Sequence, residues 1–377
     1  MIFVIIDYKA KRAWAEINLD RLKQNFKYAG KNVCCVVKAN AYGHGSSFLA
    51  PFFESLGAMY LAVSNIEEAI QLRRNNVKIP ILILGYTPVE CAVDLFKYDI
   101  EQTIYCERYA IDLNKQAIAF DVKLKIHIKI DTGMGRIGFQ YHDNVDELNQ
   151  ALTSCRLSNL QPVGIFTHFA SSDECVNNYT RLQYTYFIQA CDFFKKNGIY
   201  FTLKHCSNSA ALLNYPNYSL DMARTGILLY GIKPSKTDVD LKPALSLWSV
   251  VSNIKTVHKG DSISYGRTYI APKDMVVATI PIGYADGFWR SNQGHCVFIN
   301  GKYCTIIGRI CMDQIMVECD DAKIGDLVEI YGEHISVQEV AEYNHTIPYE
   351  VLCAIGARIP RVYRENGKII EVVDKLV

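Results

Sequence analysis

Short apolar runs rich in β-branched residues alternate with amphipathic segments between residues 30 and 231. The runs are typical of buried parallel strands, and the amphipathic segments are typical of helices that cover such strands. Eight strands are predicted: Val33–Val37, Met59–Val63, Ile81–Leu84, Ile100–Ile104, Leu124–Ile130, Val163–His168, Thr202–Cys206 and Met222–Leu229. The predicted helices include Asn65–Arg74, Glu107–Ala119, Asn144–Thr153 and Tyr179–Lys196. Eight such units in about 200 residues predict an α/β fold with a closed (β/α)8 barrel of the TIM type, rather than an open doubly wound sheet.

The pattern changes after residues 234–238, where helical periodicity gives way to strand-like runs separated by Gly, Asp and Asn turns. These runs are Trp248–Val257, Met275–Ile282, His295–Ile299, Thr305–Ile310, Gln314–Glu318 and Leu327–Tyr331. The dipeptides Asn300-Gly301 and Asn366-Gly367 predict hairpin turns. We therefore expect a barrel domain over residues 13–235 and a mainly-β C-terminal domain over residues 236–377. A first strand near residues 14–18 is a candidate to pair with the second domain.

The charge balance excludes a polyanionic partner. The chain of 377 residues has 40 basic and 39 acidic side chains, which gives a net charge of +1. This leaves no global field that would attract nucleic acid or a membrane surface, so neither partner is expected. Half of the residues are hydrophobic and 21% are charged, which is the composition of a globular protein with a large core.

Cysteine usage indicates a reducing compartment. The thirteen cysteines are odd in number and include no CxxC pair, so we expect a cytoplasmic protein rather than a disulfide framework. The nine histidines show no ligand spacing, and no metal is expected. Met1–Ile6 is apolar but much shorter than the roughly 20 residues that span a bilayer, so the chain as given is expected to be soluble. In a longer protein, these residues and the basic residues after them could instead be the end of a membrane helix.

Polar residues follow the predicted barrel strands at the ends where barrel enzymes place their chemistry. Lys38 comes directly after the first strand and before a run of small residues. A buried ammonium is costly unless it is neutralised, and one way to neutralise it is an imine with a cofactor aldehyde. The alternative is a lysine at the barrel rim whose charged end reaches solvent.

The later strand ends add further polar groups. The fifth strand leads into 129–136, the sixth into Thr167-His168-Phe169, the seventh into 205–209 and the eighth into 224–227. Ser209 and Gly226-Ile227 follow strands seven and eight, where barrel enzymes often bind phosphate. Each of these polar groups, taken alone, could have a purely structural role, such as capping a helix. A lysine, a phosphate site and an arginine on one barrel mouth together indicate pyridoxal 5'-phosphate (PLP).

Six motifs resemble those of the alanine racemase family, which consists of fold-type III PLP-dependent amino acid racemases. The resemblance extends from Ala13-Trp14-Ala15-Glu16 to Pro360-Arg361-Val362-Tyr363, nearly the whole chain. The motifs are VVKANAYGHG (Val36–Gly45), KIDTGMGRIG (Lys129–Gly138), SYGRTY (Ser264–Tyr269), PIGYADG (Pro281–Gly287), GRICMDQ (Gly308–Gln314) and PYEVLC (Pro348–Cys353).

The resemblance implies a two-base mechanism in a homodimer with shared active sites. Lys38 would hold the cofactor and act as one base, and Tyr265 of the partner subunit would act as the other. Inversion requires two groups, because the proton leaves one face of Cα and returns to the opposite face. His168 and Arg224 would support Tyr265, and Arg224 would also face the pyridine nitrogen. The alternative for His168 and Arg224 is a structural ion network.

The resemblance also implies the residues that would surround cofactor and substrate. Those for the phosphate are Tyr42, Ser209, Gly226, Ile227 and Tyr349. Arg136 would support the phenolic oxygen of the cofactor and the substrate carboxylate, with the backbone of Met312 and with Asp313 of the partner subunit nearby. Lys129 matches a position that is carbamylated in some members, and an ordinary lysine salt bridge is the alternative. Those of the gate are Tyr284 and Tyr349, with Asp173, Arg290, Arg309 and Ile347 as an outer ring. The charged members of that ring could equally be a solvated rim.

The expected function is racemisation of L- and D-alanine, with D-alanine destined for peptidoglycan as the family implies. A serine racemase of the same family, including the membrane-fused kind, is the nearest alternative, because an apolar pocket discriminates weakly against one hydroxyl. Less favoured alternatives are a fold-type III decarboxylase and a PLP-binding barrel without catalytic activity.

Overall fold

The computed structural model describes residues 11–174 and 178–376, which form two compact units. The first, which we call the barrel unit, comprises Lys23–Ala41 and Ser46–Leu241. The second, which we call the β unit, comprises residues 11–22, Tyr42–Gly45 and residues 242–376. The expectations for Met1–Ile6 lie outside the described residues.

The strands in the first part of the chain are mostly short, apolar and buried. They are β1 (Ala13–Asn18), β2 (Val33–Val36), β3 (Tyr60–Val63), β4 (Ile81–Ile83), β5 (Ile100–Ile104), β6 (Leu124–Asp131), β7 (Phe139–Gln140), β8 (Leu160–Phe166), β9 (Leu203–His205) and β10 (Ala223–Thr225). β1 belongs to the β unit. Every residue of β2, β3, β4 and β5 is buried, as expected for parallel strands that are covered on both faces.

Eight parallel strands form the barrel, in the order β10-β2-β3-β4-β5-β6-β8-β9. The two ends of this sheet approach each other. The Arg224 N–H donates to the Ser207 carbonyl at 2.9 Å, and the Asp221 N–H donates to the Lys204 carbonyl at 3.1 Å. The predicted (β/α)8 barrel is therefore confirmed, and the C-terminal ends of its strands share one mouth.

The helices of this part follow the predicted periodicity closely. In Ile66–Arg74 the Asn65 side chain caps the first turn by accepting from the Glu68 N–H at 2.9 Å, and Ile66, Ala69 and Leu72 are buried. The helices are Leu19–Lys27, Ser46–Ser55, Ile66–Arg74, Ala92–Lys97, Glu107–Ala119, Asp146–Cys155, Asn178–Lys196 and Ser209–Asn214. Within the described residues, no helix is long and apolar enough to cross a membrane.

The described residues of the β unit form three sheets. Its strands are β11 (Leu245–Val250), β12 (Asn253–Val257), β13 (Ser262–Ile263), β14 (Tyr269–Ile270), β15 (Met275–Ile280), β16 (Cys296–Ile299), β17 (Lys302–Thr305), β18 (Ile315–Glu318), β19 (Leu327–Tyr331), β20 (Arg361–Glu365) and β21 (Lys368–Val373). The sheets have the orders β17-β16-β19-β11-β1-β20-β21, β12-β15-β18 and β13-β14. The helices are Val337–Tyr343 and Pro348–Cys353. The predicted mainly-β C-terminal domain is confirmed.

Both hairpin turns form where the sequence predicts them. Asn300-Gly301 joins β16 to β17, and Asn366-Gly367 joins β20 to β21. All four turn residues have positive φ, between 48° and 84°, which Asn and Gly adopt at low cost.

Three strand predictions were wrong in extent. Trp248–Val257 forms two strands, because β11 pairs with β1 and β19 whereas β12 pairs with β15 in another sheet. Thr305–Ile310 contributes only its first residue to β17, because the hairpin turn starts that strand at Lys302. Met222–Leu229 is a strand only over Ala223–Thr225, after which the Leu229 N–H closes a turn onto the Gly226 carbonyl.

Candidate active site

Lys38 stands where β2 ends and a left-handed turn begins. Ala39, Asn40, Ala41 and Tyr42 all have φ between 51° and 54°, although left-handed backbone costs a residue other than glycine roughly 1–2 kcal/mol. Three hydrogen bonds hold this turn. The Ala39 N–H donates to Glu68 Oε1 at 2.6 Å, the Ala41 N–H to the Val37 carbonyl at 2.8 Å, and the Ser46 N–H to Asn40 Oδ1 at 3.1 Å. Strain of this kind gathers at functional sites, where it fixes one side chain in place.

Positive charge gathers around His168. Burial is the largest cause that lowers the pKa of His168 well below its usual value, and the charges of Lys129, Arg224, Arg136 and Lys38 lower it further. His168 is therefore a neutral imidazole at neutral pH. The barrel mouth brings together four predicted site residues with basic side chains. The guanidinium groups of Arg136 and Arg224 give it positive charge, which suits an anionic ligand such as a phosphate or a carboxylate.

Arg224 is held by five acceptors at the centre of this group. Its Nη1 lies 2.9 Å from His205 Nδ1 and 3.0 Å from the His205 carbonyl. Its Nη2 lies 2.7 Å from the Thr167 carbonyl, 3.1 Å from the Cys206 carbonyl and 3.3 Å from His168 Nδ1. Arg224 is only 4% exposed, and burial lowers its pKa to about 10, so it remains a cation at neutral pH. The predicted neighbourhood of His168 and Arg224 is present.

Two buried residues of this site were missed in the sequence. His127 Nδ1 lies 3.0 Å from His205 Nε2, and His127 Nε2 lies 2.7 Å from Glu101 Oε2. The sequence contains a signal for them, because Glu101 and His127 are polar residues within strands of the predicted barrel, and both are buried. Such residues require a buried partner, but the sequence does not show that each is the partner of the other.

Lys129 lies in the barrel interior at the end of β6. Its Nζ is 4.5 Å from the centre of the Phe166 ring. Burial lowers the pKa of Lys129 well below its usual value, the charges of Arg224 and Arg136 add to this, and Asp131 opposes it. Lys129 is thus a buried amine with a strong tendency to be neutral.

The loop that carries Arg136 wraps around a carboxylate. Asp131 Oδ1 accepts from the N–H groups of Gly133, Met134 and Gly135 at 2.9, 2.8 and 3.1 Å, and its Oδ2 accepts from the Arg136 N–H at 2.9 Å. Burial raises the pKa of Asp131, but these four donors outweigh burial and lower it. The ionised carboxylate therefore fixes the backbone from which the exposed Arg136 side chain projects.

The phosphate candidates of the barrel unit are in direct contact. The Gly226 N–H donates to Ser209 Oγ at 3.0 Å, which leaves the Ser209 hydroxyl hydrogen as a donor. The next residue, Ile227, is buried. The Asn208 side chain accepts from the Ala211 N–H at 2.9 Å and so starts the helix that carries Ser209.

The phosphate candidates of the β unit also lie together. The ring centres of Tyr42 and Tyr349 are 5.9 Å apart. Gly43 permits this approach, because it has φ +81° and a Cβ there would lie 2.1 Å from the Leu352 carbonyl oxygen. Burial raises the pKa of the Tyr42 phenol, with smaller contributions from Tyr349 and Cys353, so Tyr42 is a neutral donor.

A surface groove of about 560 Å³ in the β unit contains the residues predicted to serve a partner subunit: Tyr265, Met312 and Asp313, with Ser264 and Cys311 beside them. The side chains of Tyr265 and Met312 are 70% and 53% exposed. The Ser264 hydroxyl donates to the Arg309 carbonyl at 2.5 Å, and Asp313 accepts from Arg358 at 2.7 Å.

Of the two tyrosines of the predicted gate, Tyr284 belongs to a segment whose backbone is hydrogen-bonded to residues that line this groove. The Tyr284 N–H donates to the Cys311 carbonyl at 3.1 Å and the Ala285 N–H to the Met312 carbonyl at 3.0 Å. Of the predicted outer ring, Asp173 lies in the barrel unit, whereas Arg290, Arg309 and Ile347 lie in the β unit. Asp173, Arg290 and Ile347 are exposed, and Arg309 is half-buried.

The barrel unit contains a set of groups that fits PLP. A primary amine at Lys38 suits an aldehyde, the Ser209 hydroxyl with the Gly226 and Ile227 backbone suits a phosphate, and the Arg224 guanidinium suits a ring nitrogen. Within the described residues, no group of three or more His, Cys, Asp or Glu side chains is placed to hold a metal ion.

Comparison with known proteins decides the family. Residues 13–234 match the family model "Alanine racemase, N-terminal domain", and residues 244–363 match "Alanine racemase, C-terminal domain". The chain belongs to the alanine racemase family. An alanine racemase of Clostridium perfringens SM101 is 43% identical over 97% of this chain and 99% of its own length.

Solved structures of alanine racemases have the same fold. The enzyme of Clostridium difficile 630 superposes with a TM-score of 0.93 and is 40% identical, with 98% of this chain and 100% of that chain covered. The enzyme of Bacillus anthracis, solved with bound L-Ala-P, gives a TM-score of 0.92 at 36% identity, covering 97% and 98%. This member of the alanine racemase family is an amino acid racemase, and the roles of its site residues remain predictions.

Proposed function

We propose that the protein interconverts L- and D-alanine with PLP, using Lys38 and Tyr265 of the partner subunit as the two bases. The observation that carries this proposal is the arrangement of residues at the barrel mouth. There a buried Arg224 lies 3.3 Å from a neutral His168, and the charge of Lys38, which begins a strained left-handed turn, also acts on His168, in a chain of the alanine racemase family. We also propose that the domains are residues 13–235 and 236–377, with the first strand paired into the second.

The cofactor, when bound, withdraws electrons from the substrate and so acidifies the Cα–H bond. Lys38 would hold it covalently, and the phosphate would be bound by Ser209, the N–H groups of Gly226 and Ile227, and the phenols of Tyr42 and Tyr349. Arg224 would donate a hydrogen bond to the ring nitrogen. A guanidinium does not give up its proton readily, so Arg224 would leave the ring nitrogen unprotonated, which would favour racemisation over side reactions that need a stronger electron acceptor.

The two bases would act on opposite faces of Cα. The Lys38 amine would remove or return the proton on one face, and the Tyr265 phenol of the partner subunit would do so on the other. His168 and Arg224 would position that phenol. Support for a homodimer with shared sites comes from the groove, where Tyr265, Met312 and Asp313 line one surface and the first two are exposed.

The substrate would be held by charge and selected by size. Arg136 would bind the carboxylate, with the backbone of Met312 and with Asp313 of the partner subunit nearby. Tyr284 and Tyr349 would narrow the access route to the size of alanine. Asp173, Arg290, Arg309 and Ile347 would form the outer ring of that route. We place the reaction in the cytoplasm, where the product D-alanine would supply peptidoglycan synthesis.

We also propose that Lys129 is carbamylated. Its neutral amine would attack CO2, forming the N–C bond and releasing one proton, and the new carboxylate would accept hydrogen bonds from Arg136. The lowered pKa of Lys129 supports this, because only the neutral amine reacts. Native mass spectrometry under CO2 should show the added mass, and Lys129→Gln should not. An unmodified lysine at saturating CO2 would contradict the assignment.

The ratio of kcat/KM for alanine and serine tests the substrate. Both directions of racemisation are measured for each amino acid on the holoenzyme. We expect alanine to be preferred, by roughly a hundredfold or less, since a small pocket rejects an added hydroxyl only weakly. A larger kcat/KM for serine would make this a serine racemase, and release of CO2 without racemisation would make it a decarboxylase.

A further inference from the structure

A line of buried polar side chains crosses the interior of the barrel. Glu101 lies on β5, His127 on β6, His205 on β9 and Arg224 on β10. Glu101 Oε2 is 2.7 Å from His127 Nε2, His127 Nδ1 is 3.0 Å from His205 Nε2, and His205 Nδ1 is 2.9 Å from Arg224 Nη1. All four residues are buried. We call them the barrel network.

Only one order of protons satisfies every bond of the barrel network. A guanidinium can only donate, so His205 Nδ1 must accept from Arg224. A neutral His205 then has its hydrogen on Nε2 and donates it to His127 Nδ1. His127 in turn has its hydrogen on Nε2 and donates it to Glu101, which as a carboxylate can only accept. Burial lowers the pKa of His205 well below its usual value, which agrees with a neutral ring.

The bonds to Arg224 leave one direction for an additional ligand. Nη1 donates to His205 Nδ1 and to the His205 carbonyl, and Nη2 is shared among Thr167, Cys206 and His168. Among the described hydrogen bonds of Arg224, Nε takes part in none. The Nε–H of Arg224 is thus the donor available to a ring nitrogen. Its direction depends on the hydrogen bonds that hold Nη1 at His205.

We propose that Glu101 and His127 are positioning residues that fix His205 in the tautomer that accepts from Arg224, and so aim the Arg224 Nε–H. This inference rests on the proposed role of Arg224 toward the cofactor. Without an acceptor at position 101, His127 could place its hydrogen on either nitrogen. With the hydrogen on Nδ1, the His127 N–H would point at the Nε2–H of His205, and the two donors would repel each other. His205 would then shift, and its hydrogen bond to Arg224 Nη1 would weaken.

The tautomers can be measured directly. In holoenzyme labelled with 15N-histidine, long-range 1H–15N spectra distinguish protonated from unprotonated ring nitrogens. We expect both His127 and His205 to be protonated at Nε2 and unprotonated at Nδ1. His127→Asn and His205→Asn assign the two signals. A wild-type His205 that is protonated at Nδ1 would overturn the proposal, whatever the variants do.

Two substitutions at position 101 separate positioning from general stability. Glu101→Met removes the acceptor and keeps the length of the side chain, whereas Glu101→Gln keeps an amide oxygen that can accept from His127. We expect Glu101→Met to show mixed tautomers at both histidines and kcat lowered about tenfold, with KM changed less than about twofold. Glu101→Gln should keep the tautomers and recover kcat to within about threefold of wild type.

Gln102→Met is the matched control. Gln102 is the neighbouring buried residue of β5 and bonds to Thr87 and Gly85, away from the barrel network. Its substitution should lower the melting temperature and leave kcat and both tautomers unchanged. Equal losses of kcat in Glu101→Met and Gln102→Met would reduce the effect to packing and refute the inference.

The outcomes also separate this inference from the proposed function. Mixed tautomers in Glu101→Met with unchanged kcat would refute positioning of Arg224 while racemisation stands. Absence of racemisation in the wild-type holoenzyme would refute the proposed function, and the 15N spectra would still report whether Glu101 sets the tautomers.

Discussion

Lys38 is the residue on which cofactor attachment depends. Lys38→Ala should remove the covalent link, so that the visible absorbance of bound cofactor is lost on gel filtration and racemisation falls below detection. Lys38→Arg is the control, because it keeps a cation at the barrel mouth but offers no amine for an imine, and it should behave like Lys38→Ala. Retained absorbance in either variant would show that another residue attaches the cofactor.

Tyr265 tests the second base. Tyr265→Phe removes only the hydroxyl of a side chain that is 70% exposed, so the fold should be unaffected. Because a general acid or base contributes about 10²–10⁴-fold, kcat for racemisation should fall by that factor in both directions. Tyr303→Phe changes another exposed tyrosine of the β unit, whose hydroxyl donates to the His334 carbonyl, and should leave kcat intact. Wild-type kcat in Tyr265→Phe would end the two-base assignment.

The residues of the site were accessible from the sequence to different degrees. Lys38 and Arg224 could be predicted from their positions near the ends of barrel strands, because barrel enzymes place their active sites at the C-terminal ends of the strands. Tyr265 was reached only through resemblance, since an exposed tyrosine in a turn has no pattern of its own. Glu101 and His127 were missed because they contact each other across the barrel interior. Their separation along the chain does not predict this contact.

Among the local elements, the turn from Lys38 to Gly43 depends on close approach of the backbone. Gly43→Ala would place a Cβ 2.1 Å from the Leu352 carbonyl oxygen and force that backbone to move. Gly30→Ala is the matched control, because Gly30 has nearly the same φ, +78° against +81°, with nothing within 4 Å of its Cβ position. We expect calorimetry to show a clear loss of melting temperature for Gly43→Ala beyond the smaller backbone penalty of Gly30→Ala. Equal shifts would refute the steric explanation.

The Asp131 loop predicts a pH dependence of stability. The folded pKa of Asp131 lies below its unfolded value near 3.9, so its contribution is complete above about pH 4 and is lost as the pH falls through the folded pKa. Asp131→Asn, which cannot become an anion, should cost about 1–3 kcal/mol in the free energy of unfolding at pH 7. Urea unfolding of both proteins from pH 7 to 2 should show the difference shrink below pH 4. A constant difference would contradict the ionised state of the loop.

Elements were predictable where the signal is local. The two hairpins form as expected because Asn-Gly sets both the turn and the register. The strand-like composition of Trp248–Val257, without Gly or Pro, predicts a single strand. The break comes from pairing, since Ser252 N–H bonds to the Thr279 carbonyl and sends the chain into a different sheet. Such a change of partner is decided by distant residues.

For the whole molecule, mixing inactive variants tests the shared site. In a heterodimer of Lys38→Ala and Tyr265→Phe subunits, one of the two sites would contain both wild-type bases and the other neither. Equal mixing and exchange make half of the dimers heterodimers, so roughly one quarter of wild-type activity should return. The same mixture without subunit exchange is the control and should stay inactive. No recovery after proven exchange would place both bases in one chain.

The positive charge that converges on His168 has a consequence for assembly rather than for turnover. A dianionic cofactor that diffuses toward the apoenzyme is attracted electrostatically to the barrel mouth before it makes contact. Dissolved salt screens this attraction and shortens its range. Loading of the apoenzyme should therefore slow markedly with ionic strength, and inorganic phosphate should compete with it. Once the cofactor is bound, the same increase in ionic strength should hardly change kcat.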